Sequence, residues 1–549
     1  MTLTLWPLRA DPKQNMSNTK TIAKNTGWSG IEFAVNNVVT LFTSIAIARY
    51  LGPTKMGYII YVQWLASIVG NLGAVGIPAT ALKYMAEFLG KGDRGTARFI
   101  FLRTLALQAI LASVATAGIV LWVLSDASAE NRLAAVLIAL SIWPQMVNAI
   151  SAMANVAAED LYRNMPASAI SILVFFVSIA ATVIFHWGVV GVGASVLVCR
   201  SVDFLVRFIP TFRWIFSWEI THAHPEGLRR RSIRFALRSV IIMGLGLVVW
   251  DRSEFILLKH LCSDISQIAF YSVAFSMAER LLLSASIFGN ATGATIFAQY
   301  GRDELKLPAL VSSVYRYLAL SSIPIHTIFT ALAVPVLLLL YGGKYQGAEA
   351  VVLMAPLLCM SKAFLSPVQN LLQCTEKQQC VIAATVLGGG LDIGLAWTLI
   401  AAHGAVGACI ANGVAQFVAV ALMWAIAIVM FKIKLPWLLT AKVAFISIVA
   451  GLAGHFCVQR LAPFRAVMTG GIAANIALFW AVMAGGTVSL AVLLVLFYLF
   501  RILQEEDRDR LNQSASILPG PFPAWVRAIV SVLIQTKRAP LAASDAALL

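Results

Sequence analysis

Charge is scarce in this chain. Of its 549 residues only 12% are charged and 60% are hydrophobic, where soluble globular proteins run at about 25% charged and 45–50% apolar. That balance excludes a water-soluble domain of this size, which has nowhere to hide so much apolar surface. The bilayer is the solvent for most of the chain, whose mean hydropathy is +0.83. An apolar core of about 7–15 residues is missing from the polar N-terminal stretch, which carries Arg9, Lys13, Lys20 and Lys24, so no cleavable signal peptide is expected there. Met16 offers an alternative start to Met1. The seven cysteines are scattered, mostly through apolar segments, and the Cys374/Cys380 spacing fits no common zinc pattern. They read as buried thiols, and no metal or cofactor is expected. No G-x-x-x-x-G-K-[ST] loop occurs, so ATP is not hydrolysed by that route. The outer connections run to about 15 residues or fewer, too short for a soluble catalytic domain.

What the chain does have is runs of about 20 apolar residues, each long enough to cross a hydrocarbon core of about 30 Å. They fall at 27–49, 58–83, 99–123, 133–156, 166–187, 189–212, 235–260, 268–298, 310–340, 348–373, 380–402, 405–431, 437–458 and 471–500. The expected fold is an all-α polytopic membrane protein of about fourteen helices. Pro78, Pro144, Pro324, Pro335, Pro356 and Pro367, within or beside these runs, predict kinks. With the N-terminus in the cytosol, about 30 Lys and Arg lie inside and about 7 outside, which places both termini in the cytosol. The net charge of +16 is then mostly a topology signal, including the cluster Arg229, Arg230, Arg231, Arg234 and Arg238. No nucleic-acid partner is implied. Past Phe500, Gln504–Arg510 reads as a solvated charge run, and 522–536 as either an amphipathic helix on the inner surface or a disordered tail.

The membrane unit is written twice. Arg49-Tyr50-Leu51-Gly52-Pro53 leading to Gly57-Tyr58 is answered by Lys259-His260-Leu261 leading to Ala269-Phe270-Tyr271. Ala86-Glu87-Phe88 matches Ala298-Gln299-Tyr300, and Leu102–Leu107 matches Tyr315–Leu320. The offset is roughly 212 residues, far beyond a solenoid period. Duplicated helix sets are a ground plan of secondary transporters, with the substrate between the halves. The expected divisions are a cytosolic segment 1–26, a first lobe 27–218, a basic linker 219–234, a second lobe 235–431, an extra helix pair 432–500 and a cytosolic tail 501–549.

Polar residues in lipid are costly, so polar stripes at helical spacing should face protein or water. Glu32, Asn36 and Thr40 form one, as do Gln63, Ser67 and Asn71. Ser141, Gln145, Asn148, Ala152 and Asn155 form another, and Lys362, Ser366, Gln369 and Gln373 a fourth. Each reads either as interhelical glue or as the wall of a hydrated cavity. Charges discriminate further. Arg200, Asp203 and Arg207 are spaced as an intrahelical ladder. Arg280 and Lys362 have no acidic residue at helical spacing to follow them, which favours binding of an anion; guanidinium suits phosphate oxygens. The candidate substrate contacts are therefore Arg280, Lys362, Arg252, Arg200, Gln369, Asn36 and Asn148. Glu279, Asp251, Glu254, Asp392 and Glu32 are candidates for proton or sodium coupling, since burial raises the proton affinity of a carboxylate.

Ile47-Ala48-Arg49-Tyr50-Leu51-Gly52-Pro53 followed by Gly57-Tyr58 resembles the first-loop signature of the polysaccharide transporter family, which includes O-antigen and lipid-linked oligosaccharide flippases of the multidrug/oligosaccharidyl-lipid/polysaccharide exporter (MOP) superfamily. Asp251-Arg252, Leu257-Leu258 and Phe270–Ala274 resemble its second-half counterpart, and Tyr341-Gly342-Gly343-Lys344-Tyr345 the turn between its ninth and tenth helices. The resemblance covers about residues 25–500. It implies two six-helix lobes about a cationic cavity plus two C-terminal helices. It further implies alternating access that carries a polyprenyl-pyrophosphate-linked saccharide across a bacterial inner membrane. The implied partners are membrane lipids, the lipid-linked glycan and glycan-assembly proteins docking at the basic seam or tail. Two other readings stand beside it. A multidrug or cation antiporter of the same superfamily would favour an acidic cavity. A polysaccharide polymerase or ligase would need a positioned acid, base or donor loop at the membrane surface, against which the short outer connections argue.

Overall fold

The computed structural model describes residues 12–74, 76–126, 129–158, 160–219, 227–237, 240, 253–461, 472–503 and 507, and for 12–36 and a few others the backbone alone. Among the described residues the elements are all helical. They are α1 (Pro12–Gly73), α2 (Ile77–Gly90), α3 (Arg94–Asp126), α4 (Ala129–Leu140), α5 (Ile142–Ala157), α6 (Met165–Ile184), α7 (Gly188–Phe216) and α8 (Glu254–Leu261). Then come α9 (Ser266–Leu281), α10 (Leu283–Arg302), α11 (Leu307–Tyr341), α12 (Glu349–Cys359), α13 (Leu365–Cys374), α14 (Gln378–Phe431), α15 (Trp437–Leu461) and α16 (Ile472–Leu499). Every expected span but one coincides with helix. The exception, 235–260, lies mainly outside the described residues, as does the 522–536 segment.

Among the described residues, nine helices are long and apolar enough to cross a bilayer, or eleven when two bent pairs count as spans. This falls below fourteen for two reasons: the long α1 and α14 each run two expected spans together, across Gly52 (φ 73°) and Gly404 (φ 54°), and the 235–260 span lies mainly outside the described residues. The left-handed φ at Gly52 suits a residue without Cβ, and Pro53 restarts the helix where its missing N–H is not needed. The sequence motif Arg49–Pro53 is thus a helix break. Tyr50 anchors it: its hydroxyl accepts from the Gly188 N–H at 2.9 Å, at the α6–α7 turn.

Three of the six prolines expected to kink spans fall where helices begin. Pro78, Pro144 and Pro367 occupy the first turns of α2, α5 and α13, where the first four N–H groups lack helical partners anyway. Pro324 and Pro335 lie inside α11 and Pro356 inside α12.

The chain divides between Ala269 and Phe270 into two compact units. In the first, α2 packs on α3 and α5, and α7 on α4, α5 and α6, around a core that includes Met85, Phe101, Ile150 and Ile215. The chain following α8 joins this unit by a close approach: a Cβ on Gly57 would lie 2.3 Å from the Ile265 carbonyl oxygen. The basic segment also docks here. Arg231 lies 3.5 Å from Glu87, and the Lys83 ammonium sits 4.1 Å from the Phe235 ring centre. In the second unit, α15 and α16 pack on each other and on α11.

Both units interrupt a span at corresponding places. The α1–α2 pair bends by 45°, and so does α9–α10. Ser141 separates α4 from α5, and a 3₁₀ turn, Met360–Phe364, separates α12 from α13. Broken spans leave backbone groups and helix ends inside the membrane, which is where transporters of duplicated design hold ions and anions.

Candidate functional site

The second unit gathers three of the candidate charges at its two breaks. Glu279 and Arg280 close α9, just before the bend at Leu282. Lys362 lies in the 3₁₀ turn between α12 and α13. The seating of α13 on α10 brings the breaks together. A Cβ on Gly289 would stand 2.6 Å from Ser366 Cβ, and one on Gly293 2.8 Å from Asn370 Nδ2. Two glycines one turn apart therefore let α13 approach the α10 backbone, as small residues do between membrane helices. Ser366, expected in a polar stripe, is part of this contact.

Lys362 Nζ lies 3.9 Å from Glu279 Oε1. The carboxylate beside the lysine comes from another helix, which is why spacing along one helix did not reveal it. At 3.9 Å the pair is longer than the 2.7–2.9 Å typical of charge-assisted hydrogen bonds. Arg280 Nη1 donates to the Ser276 carbonyl at 2.8 Å. A guanidinium at a helix C-terminus meets the negative end of the peptide dipoles, which favours it there. The side chains of Lys362 and Glu279 are half-buried, with relative exposures of 23% and 37%, and Arg280 is likewise half-buried. All three charged side chains are thus partly reachable from outside the packed helices. The break itself is secured by Trp424, whose Nε1 donates to the Phe364 carbonyl at 3.0 Å. Trp424 was not among the expected site residues, and nothing in its local sequence marks it.

The other candidates stand elsewhere. Gln369 is half-buried on α13, and Arg200 is exposed on α7. Asp392 is buried in the first arm of α14, and Glu254 is buried in the first turn of α8. Arg252 and Asp251 lie outside the described residues, and Asn36 and Glu32 fall where only the backbone is described.

Asn148 belongs to a polar seam inside the first unit. Its Nδ2 donates to Asp203 at 2.6 Å, and Arg207 donates to the other Asp203 oxygen at 2.8 Å and to Ser168 at 3.1 Å. Within the spaced trio it is Asp203 and Arg207 that pair, with Arg200 outside. Asn155 extends the seam, donating to Asn164 at 2.8 Å and Thr211 at 3.1 Å. The seam ties α5, α6 and α7 together. Asp203→Ala strands Arg207 in apolar surroundings and is expected to destabilise the protein by about 3 kcal/mol. A thermal-unfolding midpoint in detergent that does not fall would contradict this.

Bent paired spans, interrupted at corresponding places in the two units, define an all-helical, multi-pass membrane fold. Among solved structures the chain is similar to the lipid II flippase MurJ in an inward closed conformation, with a TM-score of 0.60 and 13% identity over 86% of this chain and 99% of that one. It is also similar to a multidrug resistance MATE family transporter of the MOP superfamily in its inward-facing conformation, with a TM-score of 0.60 and 16% identity over 72% and 94%. The outward-facing conformation of a MATE family transporter gives a TM-score of 0.55 with 16% identity over 77% and 97%. No family model matches the chain, and no curated protein does. The protein is a multi-pass membrane protein with this fold.

Proposed function

We propose that the protein is a flippase for a polyprenyl-pyrophosphate-linked saccharide, moving it from the inner to the outer leaflet of a bacterial inner membrane by alternating access. The observation that carries this reading is that half-buried Arg280 and Lys362 stand at two helix breaks, with Glu279, the neighbour of Arg280 in the chain, 3.9 Å from Lys362. A pyrophosphate offers several anionic oxygens and gains charge-assisted hydrogen bonds from both cations. Glu279 has a second role in this scheme: as the phosphate takes Lys362, the carboxylate loses its cation and is placed to take up a proton or sodium ion. The name of the MurJ structure, a lipid II flippase, supports the same class of cargo. The glycan itself is left open, and Arg252, Arg200, Gln369 and Asn36 remain candidate contacts further along its path.

The test is the leaflet on which cargo collects. Cells lacking the protein are expected to accumulate lipid-linked saccharide on the cytosolic leaflet, inaccessible to an impermeant sugar oxidant applied from outside. Cargo that reaches the outer leaflet at the normal rate in those cells would refute the proposal.

A further inference from the structure

We infer that Asp507, beyond the last helix, is a positioning residue for the cationic site, acting through Arg316 and Tyr317 of α11; the inference rests on the reading of that site given above. By sequence Asp507 belongs to a solvated charge run. The structure corrects this, since Asp507 is fully buried. One of its oxygens accepts from Arg316 Nη2 at 2.6 Å and the other from the Tyr317 hydroxyl at 2.9 Å. The chain turns at the end of α16. Arg501 takes a left-handed φ of 49°, the Ile502 N–H returns to the Phe497 carbonyl at 3.1 Å, and Ile502 itself is buried.

The turn of α11 that Asp507 grips packs beside the Met360–Phe364 break and against the α10 segment on which α13 is seated. The Tyr317 ring lies 6.5 Å from Phe288 of α10, the neighbour of the Gly289 on which Ser366 sits. The Tyr315 ring lies 5.0 Å from Phe364, which ends the 3₁₀ turn carrying Lys362. It also lies 5.2 Å from Trp424, the donor to the Phe364 carbonyl. A carboxylate bound by two adjacent residues of α11 restrains both, and with them the aromatic packing that sets how the two breaks face each other. Ion pairs removed from water act best as such registry devices, because any other register leaves a charge unpaired.

The repeat sharpens the case. Arg316 corresponds to Arg103 in the first half. Arg103 is exposed, and its guanidinium lies over the Phe99 ring, 5.3 Å from the ring centre. The second half has a carboxylate from the tail at this position, and it is the second half that holds the Glu279–Lys362 pair.

Two readouts on the purified full-length protein test this. The first is hydrogen exchange over residues 357–366, which reports the break whatever the cargo is. Asp507→Asn is expected to speed exchange there about tenfold, a coupling of ordinary size between linked sites. Asp507→Glu should retain slow exchange, and a chain ending at Leu503 should behave like Asp507→Asn. The second is affinity for farnesyl pyrophosphate, used as a short polyprenyl pyrophosphate, which should weaken in parallel. Unchanged exchange in Asp507→Asn overturns the inference. Faster exchange combined with undiminished probe binding by Arg280→Ala and Lys362→Ala supports the positioning role while refuting the pyrophosphate reading of the site. If Asp507→Asn fails to accumulate in the membrane, the swapped pair Arg316→Asp/Asp507→Arg decides. Recovery of accumulation and of slow exchange supports the inference, and continued loss overturns it.

Discussion

Arg280→Ala is expected to weaken binding of a pyrophosphate headgroup by about 10–100-fold, and Lys362→Ala by about tenfold. A hydrogen bond to a charged partner is worth about 1.5–3 kcal/mol, and each 1.4 kcal/mol is tenfold in affinity. Arg280 stands at the upper end because its planar fork makes two bonds to a phosphate where an ammonium makes one, so Arg280→Lys should recover only part of the loss. The informative partner is Glu279→Gln. It removes the carboxylate 3.9 Å from Lys362 and keeps its shape. For an anionic cargo the competing charge is gone, so ground-state affinity should rise, while export should fall if Glu279 has the coupling role proposed for it. For a cationic drug the same change deletes the attraction, and affinity should fall. Titration with farnesyl pyrophosphate and, separately, with a lipophilic cation therefore separates flippase from antiporter by opposite signs. An alanine at either cation that leaves pyrophosphate affinity intact would remove these residues from the site.

The spans were legible because the bilayer imposes one solution on apolar runs of about 20 residues: a helix with all its backbone hydrogen bonds made internally. The break at Gly52 was legible too, since Gly-Pro at the end of an apolar run cannot continue a helix without strain. The breaks that build the site were harder to see. Leu282 is flanked by neither glycine nor proline; the Met360–Phe364 turn precedes Pro367, which has no N–H for the Ala363 carbonyl, so a kink was expected there, but its form is held by tertiary contacts such as Trp424 to the Phe364 carbonyl and Ser366 on Gly289. Local propensity carries no trace of a partner contributed by a distant helix. The same limit explains Glu279 and Lys362, which sequence analysis marked separately for opposite roles and the fold sets side by side. Asp507 is the extreme case. A run of acidic and basic residues at a chain end reads as solvated, and its partner Arg316 lies 191 residues earlier. Asn148 shows the converse: its stripe was seen, but periodicity alone does not distinguish a cavity wall from a bond to Asp203.

Gly454→Leu is expected to loosen the C-terminal helix pair from the second unit. A Cβ at Gly454 would stand 2.0 Å from Ser489 Oγ and 2.6 Å from the Gly485 carbonyl oxygen. The hydroxyl has freedom to turn away, but the carbonyl belongs to the α16 backbone and moves only with the helix. On an adjacent face α15 is also held by α11, where a Cβ on Gly451 would lie 3.2 Å from Ala331 Cβ and where the His455 ring pairs with the Ala331 carbonyl at 2.9 Å. In lipid no hydrophobic effect compensates for lost contact, because acyl chains solvate a detached helix as well as leucine does. The destabilisation should therefore reach the upper end of the roughly 1–3 kcal/mol seen for overpacking. The control lies in the same helix pair: Gly486 has open space around its Cβ direction, so Gly486→Leu should be tolerated. Detachment is readable at the α14–α15 link, where the Ser312 hydroxyl donates to the Lys434 carbonyl at 2.7 Å. Trypsin should cut at Lys432 and Lys434 faster in Gly454→Leu than in the unaltered protein, and not faster in Gly486→Leu. Equal cleavage rates in all three would mean that the close contact between α15 and α16 does not hold the pair in place.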